Sequence, residues 1–456
     1  MAKELHHLDK WGYANLDLGE EILESGQKKA LILISGASSS GKSYGAIYLH
    51  EMLTKFGHRS CIISLDQYNV GLSHIIPNKV NSNYFNSSLL NINEICATIK
   101  PIIENVPFSS KYSQEQIDKI KPAISSFLKN DQLDLFLEGL KKEWAKLNFD
   151  EPSVYDLLEA SKDIKALLKE KTIEEKQYSK VISERIASNS FINGKDYSFI
   201  IVEGIYALNS LLLTNLKGIK TVKNFIDGNP KSLFLRRLIR DASKTSASAS
   251  FTAKLYFSSI MDSYRQTILP SRNQADLILD NDMSFSELRS GNLYKTKNAY
   301  PIKNIEGMNN LISSSKLIER IYEKDFYVAC ENEKQEENNI LRFRERSFDG
   351  GKTYRPSSLV HKGAPKWRKD NKIVRPVNIL LDEESILDVW KDEGSFLYDF
   401  LTNGFEINRI EIKTKTRLLY KNINLTIFEI KDRMLYIELQ DDIPNSILKE
   451  ILCFVN

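Results

Sequence analysis

The residues Gly36-Ala37-Ser38-Ser39-Ser40-Gly41-Lys42-Ser43 follow the spacing G-x-x-x-x-G-K-[ST] at every fixed position. Gly36 and Gly41 let the backbone turn so that successive N–H groups, those of Ser38, Ser39 and Ser40 included, face phosphate oxygens. A helix that follows adds the partial positive charge of its N-terminus. Lys42 is spaced to reach the β- and γ-phosphates of a nucleotide, and Ser43 offers its hydroxyl to Mg²⁺, which prefers oxygen ligands. The loop therefore points to ATP and Mg²⁺ as cofactors. Two acids suit the same chemistry: Asp66 closes the segment CIISLDQY, and Glu203 closes FIIVEG. A carboxylate beside a triphosphate accepts a proton from an attacking hydroxyl or helps hold the metal, and Asp66 is a candidate for both. A capping aspartate and a solvated strand-end glutamate are the plainer alternatives. Arg236, Arg237 and Arg240 punctuate an apolar helical stretch, where guanidinium forks suit phosphate and Arg237 can also pair with Asp241 at i,i+4.

These groups need elements to hold them. Leu31 to Ile34 form a short apolar run of β-formers before the loop; Ile47, Leu49, Met52 and Leu53 continue a helix after it, ending near Gly57. CIISLDQY and FIIVEG read as further strands. In an open parallel α/β sheet ligands bind beyond the carboxyl ends of the strands, so Asp66, Glu203 and the loop are expected in one crevice. The chain has 456 residues, 42% hydrophobic and 27% charged, which implies at least two folded domains at ~150 residues each. A net charge of +3 argues against a surface that coats nucleic acid. The four cysteines are far apart and form no C-x-x-C pair, so neither a disulfide framework nor a zinc knuckle is indicated. With no apolar leader and no run approaching ~18 apolar residues, a cytoplasmic protein without a membrane partner is expected.

Several blocks, in order, resemble the uridine kinase and phosphoribulokinase family: GASSSGKS, SLDQY, NFDEPSVYDL (148–157), YSKVISER (178–185), IIVEGIYAL (200–208) and LRRLIRD (235–241). Leu269-Pro270 with Ala275-Asp276-Leu277-Ile278-Leu279 is similar to that family's closing strand. The resemblance covers roughly residues 29–280. It implies a P-loop kinase with Lys42, Asp66, Arg237 and Arg240 in catalysis, Ser43, Glu203 and Asp66 around the metal, and Asp150, Tyr178 and Arg185 at the substrate. The chain departs from the family in three places. A helical insertion at about 70–147 replaces a short connection, with INEICATIKPIIENV and QLDLFLEGLKKEWAKL as helices and Ser113-Gln114-Glu115-Gln116 as a capping box. Ser183 stands where the family reads the base with histidine, and Leu255 where its lid has glutamine. The lid reads KTSASASFTAK, with Lys244 and Lys254 as its cations.

From about Tyr294 the texture changes to alternating strands, with a helix around Glu383 to Leu401. Period-two alternation puts Arg342, Arg344 and Arg346 on one strand face, and Arg409, Glu411, Lys413, Lys415 and Arg417 on another, opposite Ile410 and Ile412. Closed into a barrel with these faces inward, such strands make a cationic tunnel for polyphosphate; left open, they make a sheet with one solvated face. The blocks DFY (325–327), LRFRE, LVHKGAP, NGF (403–405), KTRLLY (415–420) and YIELQ (436–440) resemble the CYTH, or triphosphate tunnel, family over about 294–442. That resemblance implies anion binding by Arg342, Arg344, Lys362, Lys415 and Arg417. The opening glutamate pair of the family is missing, and its closing E-x-E reads Glu438-Leu439-Gln440.

The expected architecture is an α/β P-loop kinase with a parallel sheet and a helical insertion (1–295), followed by an α+β antiparallel β-barrel of CYTH-like type (296–456). The expected function is an ATP- and Mg²⁺-dependent kinase for a nucleoside or other small hydroxyl metabolite, with a second domain that binds triphosphate or a nucleoside polyphosphate. A nucleotide-binding sensor and a tunnel triphosphatase are the competing readings.

Overall fold

The computed structural model describes residues 2–85, 89, 91–106, 110–244, 248–281, 294–330, 340–362, 366–367, 372–431, 434–439 and 443–456. The lid positions 245–247, residues 363–365 of LVHKGAP, and Gln440 lie outside the described residues. The chain forms two compact units. The first comprises Met1–Asn229, Leu233–Ser248 and Leu255–Asp282; the second comprises Pro230–Ser232, Ala249–Lys254 and Met283–Asn456.

The first unit is organised by a parallel sheet. Its elements begin with β1 (Lys3–Leu5), α1 (Leu8–Glu24), β2 (Ala30–Gly36), α2 (Lys42–Lys55) and β3 (Ser60–Ser64), then the insertion helices α3 (Leu72–Tyr84), α4 (Ile92–Ile103), α5 (Gln114–Ile124) and α6 (Asn130–Ala145). There follow α7 (Leu157–Leu168), two small hairpins β4/β7 (Thr172–Glu174, Phe191–Asn193) and β5/β6 (Gln177–Ser179, Glu184–Ile186), and β8 (Phe199–Glu203). The chain continues with α8 (Ser210–Asn215), β9 (Thr221–Asp227), α9 (Pro230–Lys244), whose first three residues group with the second unit, α10 (Ala249–Leu255), which groups with the second unit up to Lys254, a widened helical run containing α11 (Met261–Ser263), and β10 (Leu277–Asp280). The sheet order is β1-β10-β9-β2-β8-β3, parallel throughout. β2 and β8 are buried at every position, as expected for central strands covered on both faces. Trp11, Leu16, Leu49 and Leu53 from α1 and α2 pack against Ile32, Ile34 and Ile201.

The insertion has a core of its own. Leu72, Ile76, Ile95, Ile99, Ile120, Phe136 and Leu140 are fully buried and packed together. The expected capping box does not form. Ser113 is the N-cap of α5, but its side chain makes no cap hydrogen bond, and Gln116 is buried with its Oε1 unpartnered.

The second unit is antiparallel. It contains β11 (Tyr294–Pro301), α12 (Ile305–Ser313), β12 (Lys316–Cys330), β13 (Ile340–Ser347), β14 (Arg355–Lys362), β15 (Lys366–Trp367), β16 (Lys372–Leu381), α13 (Glu383–Val389), α14 (Glu393–Thr402), β17 (Phe405–Tyr420), β18 (Ile423–Ile430), β19 (Met434–Leu439) and α15 (Asn445–Val455). The order is β11-β19-β18-β17-β12-β13-β14-β16-β15, and β11 pairs both with β19, through Asn298–Pro301, and with β16, through Tyr294–Asn298. The single helix expected over Glu383 to Leu401 is two. Asp382 caps α13 and Asp392 caps α14 through the Ser395 amide at 2.8 Å, so the chain breaks at Trp390, whose indole N–H donates to Asp399 at 2.8 Å. One sheet face carries apolar packing: Phe343 stacks on Phe396 at 3.8 Å, beside Trp390 and Phe400, while Leu418, Leu425 and Ile437 pack with Leu311 and Ile451. The opposite face carries Glu323, Asp325, Arg342, Arg344 and Lys413.

Candidate functional site

Strand register assembles the first group. Glu203 is the residue level with Ile34 on β2 and with Ser64 on β3, so the loop after β2 and the turn after β3 both begin within two residues of it. Gly36 (φ 144°) and Gly41 (φ 100°) lie in backbone regions that favour glycine; a Cβ on Gly36 would meet the Ile226 carbonyl at 2.2 Å. Lys42 is buried and donates to the Ala37 carbonyl of its own loop at 2.7 Å. Burial lowers its pKa, with Glu203, Asp66 and Asp150 opposing. Ser39 Oγ and Ser40 Oγ are buried with no hydrogen-bond partner among the described residues. Buried hydroxyls rarely stay unpaired, so this loop is shaped for a ligand that supplies acceptors. Ser64 donates to Glu203 Oε1 at 2.6 Å and Ser43 at 3.3 Å; burial raises the Glu203 pKa and nearby Asp66 adds to it. Among the described residues no group of three or more His, Cys, Asp or Glu is arranged to hold a metal by itself. Ser43, Glu203 and Asp66 nevertheless form an oxygen-only set that fits Mg²⁺ completed by phosphate and water.

Asp66 lies in a short 3-10 turn, Leu65–Tyr68, that is laced to the β5/β6 hairpin. Gln67 Oε1 accepts from the Tyr178 amide at 2.7 Å, and the Tyr68 and Asn69 carbonyls accept from Arg185 at 3.0 and 3.3 Å. Leu72 N donates to the Ser183 carbonyl at 3.1 Å, and buried Glu184 accepts from both Ser73 N and Ser73 Oγ at 2.8 Å. Arg185 also donates to Glu159 at 2.7 Å, so its guanidinium holds the turn that carries Asp66. Tyr178 is half-buried, and burial pushes its phenol up. Ser183 has left-handed backbone (φ 55°) and a buried side chain that donates to the Lys180 carbonyl at 3.4 Å. Lys180 itself reaches Asp66 Oδ2 at 2.8 Å. Burial opposes the effect, but this ammonium, with Lys42 and Arg240, brings the Asp66 pKa below its ordinary value. Sequence reasoning missed Lys180. Its signal was its place two residues beyond Tyr178 on a hairpin beside the crevice.

On the phosphate side, α9 separates its arginines. Arg237 is buried and paired with Asp150 at 2.9 Å and with Asp241 at 3.5 Å. Arg240 is a third exposed; it bonds Asp241 at 2.8 Å and reaches Ser38 Oγ at 3.2 Å, bringing a guanidinium to the loop. Asp150 therefore meets Arg237 directly, while its carbonyl accepts from Tyr206 at 2.5 Å.

The charged face of the second unit differs from a cationic lining. Asp325 and Glu323 on β12 are fully buried. Asp325 takes two bonds from Arg344, at 2.6 and 2.7 Å, one from Arg342 at 3.4 Å, and one from Lys413; Glu323 takes Arg344 at 2.7 Å and Arg346 at 3.2 Å. These cations hold Asp325 far below the usual carboxylate range even though burial opposes them. Glu411 accepts from Tyr327 at 2.6 Å and pairs with Arg409 at 3.3 Å. Arg417 is half-exposed and bonds Glu319. Lys362 ends β14, partly buried, level with Ile340. Lys415 has no carboxylate within ion-pair distance among the described residues and lies 5.8 Å from the centre of the Phe428 ring; burial lowers its pKa to about 8.

Residues 108–284 match the Phosphoribulokinase / Uridine kinase family, a stretch that includes Asp150, Tyr178, Glu203 and Arg237. A uridine kinase of Ligilactobacillus salivarius is 33% identical over 150 residues, 33% of this chain and 66% of that one. A uridine kinase of Lactobacillus johnsonii is 28% identical over 147 residues, 31% of this chain and 67% of that one. The chain thus spans about two thirds of the length of the curated relatives it matches. A solved structure of a possible uridine kinase from Bacillus stearothermophilus aligns over 58% of this chain and 98% of that one, at 11% identity and a TM-score of 0.28. The first unit has the α/β parallel-sheet fold of P-loop kinases of this kind.

Proposed function

We propose that the first unit, with residues 1–295 as its domain, transfers the γ-phosphoryl group of ATP to a hydroxyl of a small molecule. The observation that carries this reading is one strand-end edge bearing Lys42, Ser43, Glu203 and Asp66, next to a loop with two buried unpartnered hydroxyls. Pure nucleotide binding would not need an acid poised for a hydroxyl proton. Asp66 accepts that proton, Lys42 and Arg240 compensate charge on the phosphates, and Asp150 with Arg237 fixes the wall between phosphate and acceptor. Tyr178 lines the acceptor side, and Arg185 acts there as a positioning residue for the Asp66 turn. Ser43, Glu203 and Asp66 would hold Mg²⁺, which when bound would supply charge neutralisation for the phosphates.

For the second unit, 296–456, we propose a CYTH-like barrel, supported by the double pairing of β11, that binds a triphosphate-type anion. Lys415 and the incompletely bonded Arg342 are its available cations. Hydrolysis is disfavoured because Glu323 and Asp325 are taken by arginines, leaving few carboxylates to hold the divalent ions such hydrolysis needs.

The kinase reading is tested with Asp66→Asn. Nucleotide binding is expected to persist while transfer to any accepted hydroxyl falls ~10²–10⁴-fold, the usual contribution of a general base. Equal loss of binding and transfer would instead make Asp66 chiefly a metal ligand.

A further inference from the structure

The insertion at about 70–147 does more than bury its own core. The buried carboxylate of Glu184, on β6, sits on the N-terminus of the insertion's first helix, α3, and accepts from Ser73 N and Ser73 Oγ at 2.8 Å each. The approach is close, since a Cβ on Gly71 would meet Glu184 Oε2 at 2.4 Å. Burial disfavours the charged carboxylate, while the bonds from Ser73 and the ammoniums of Lys111 and Lys100, all supplied by the insertion, favour it. Beside this contact Leu72 N donates to the Ser183 carbonyl at 3.1 Å, and Lys100 of α4 donates to the Arg185 carbonyl at 3.2 Å. Another anchor, Lys79 to Glu151 at 2.5 Å, ties α3 to the 148–157 block.

These anchors grip the backbone on the side where Tyr178 lies. There the turn after β3, the 148–157 block and the β5/β6 hairpin are stitched into one wall. Tyr178 N donates to Gln67 at 2.7 Å, Asp156 N to the Tyr68 carbonyl at 2.9 Å and Val70 N to the Val154 carbonyl at 3.0 Å. A hairpin with three residues in each strand is marginal by itself, so β5/β6 depends on what holds it. The phosphate loop is set differently, by β2 lying beside β9 and by Asn281, which donates to the Ser40 carbonyl at 2.7 Å. We propose, building on the kinase reading, that the insertion is the support of the acceptor wall. Glu184, seated on the N-terminus of α3, is the positioning residue through which the insertion governs how an acceptor is oriented, while nucleotide binding is left alone. A wall displaced by about 1 Å would cost on the order of 10²-fold in turnover.

The test uses the full chain and two readouts. The first is amide hydrogen exchange, which needs no acceptor. Glu184→Ala leaves the buried Ser73 donors without their acceptor and is expected to speed exchange at Val70, Asp156 and Tyr178 by about 10–100-fold, the range for a buried donor left unpaired. Exchange at Ser40 to Ser43 and in α6 should match the native protein. Glu184→Gln still presents an oxygen to Ser73 N and should return most of the protection, and Lys100→Met should give a smaller loss at the same three amides. Unchanged exchange at these amides in Glu184→Ala overturns the proposal. So does faster exchange throughout α3 to α6, which would make Glu184 a group that only holds the insertion folded. The second readout is phosphoryl transfer from ATP with Mg²⁺ to uridine, ribose, glycerol and a metabolite extract. For whichever acceptor is phosphorylated, Glu184→Ala is expected to lower its kcat/KM by about 10²-fold with KM for ATP unchanged. An equal rise in both KM values overturns the proposal. The expected exchange pattern in a protein that binds ATP and phosphorylates none of these leaves the supported wall standing and removes the kinase reading.

Discussion

The crevice of the first unit and the charged strand face of the second are built from the same residue types in opposite bonding states. Among the described residues of the crevice Lys42 bonds a carbonyl of its own loop, Asp66 has one partly exposed partner, and Ser39 and Ser40 bury hydroxyls with no partner. On the strand face Asp325 alone engages Arg342, Arg344 and Lys413, and Glu323 takes what Arg344 and Arg346 have left. Both leave buried polar atoms without a partner among the described residues, Ser39 Oγ and Ser40 Oγ in the crevice and Glu323 Oε2 and Arg342 Nε on the strand face, but on the strand face most of the cations already face a carboxylate. Cation count therefore does not by itself identify an anion site. What counts is the cation without a carboxylate, and on the second unit that description fits Lys415.

The same substitution made once in each region gives the sharpest contrast. Asp325→Asn leaves three buried cations with a neutral amide, and breaking a buried pair of this kind costs about 3–5 kcal/mol. Amide hydrogen exchange in the full chain is expected to speed up across β12, β13 and β17. Asp66→Asn, which loses a half-exposed ion pair worth at most about 1 kcal/mol, should leave exchange in β2, β3 and β8 unchanged. Matching exchange profiles for the two variants would erase the distinction between ligand site and structural network.

Local features were legible in the sequence where the signal is itself local. The strand, loop and helix around Gly36 to Ser43 follow from a short apolar run and two glycines, and α4 and α6 follow from apolar periodicity. The period-two alternation put Arg342, Arg344 and Arg346 on one face, as β13 has them. What stayed hidden depends on partners distant in the chain. Asp325 meets Arg344 and Lys413 only because β12 pairs with both β13 and β17, the latter some ninety residues away, with bulges at two points. β12 itself alternates Glu319, Ile321, Glu323, Asp325 and Tyr327, so the acids were visible; their neutralising register was not. The hairpin that brings Lys180 to Asp66 is likewise set by backbone bonds to residues 67–73 across more than a hundred positions. The helix break at Trp390 had a local signal, Asp392 followed by Ser395, which the apolar pattern on either side obscured.

Lys415 sharpens the comparison through pH. Burial, joined by Arg417, Arg346 and Arg344 and opposed by Glu323, holds it near 8, so it is largely charged at pH 7 and neutral by pH 9.5. A polyphosphate contacting this ammonium favours the charged form and raises its pKa, so binding at pH 8 takes up a proton. By linkage, affinity falls as pH rises through about 8, by roughly tenfold overall for one charged contact. Calorimetry of tripolyphosphate with the full chain, carrying Asp66→Asn to silence transfer and run in buffers of different ionisation enthalpy, reads both quantities. Lys415→Ala should abolish the pH dependence. Binding that is flat from pH 7 to 9.5 would show that Lys415 does not touch the anion.

A further expected effect lies on the apolar side of the same sheet, at Glu345. Burial, with Glu393 and Asp392 adding and Lys324 opposing, raises its pKa to about 7. An unfolded glutamate loses its proton near ~4.3, whereas the folded one keeps it to about 7, so between these values the native state binds more protons. Stability contributed by this group is therefore full at low pH and declines as pH rises, reaching its minimum above about 7, where a buried charge must be carried among two other acids. Glu345→Gln keeps the shape and removes the charge. It is expected to slow hydrogen exchange in β13 and β14 at pH 8 by an amount on the order of 2–3 kcal/mol and at pH 5 by no more than about 1 kcal/mol once intrinsic rates are corrected. Stabilisation of the same size at both pH values would mean that the amide gains a new hydrogen bond rather than relieving a buried charge.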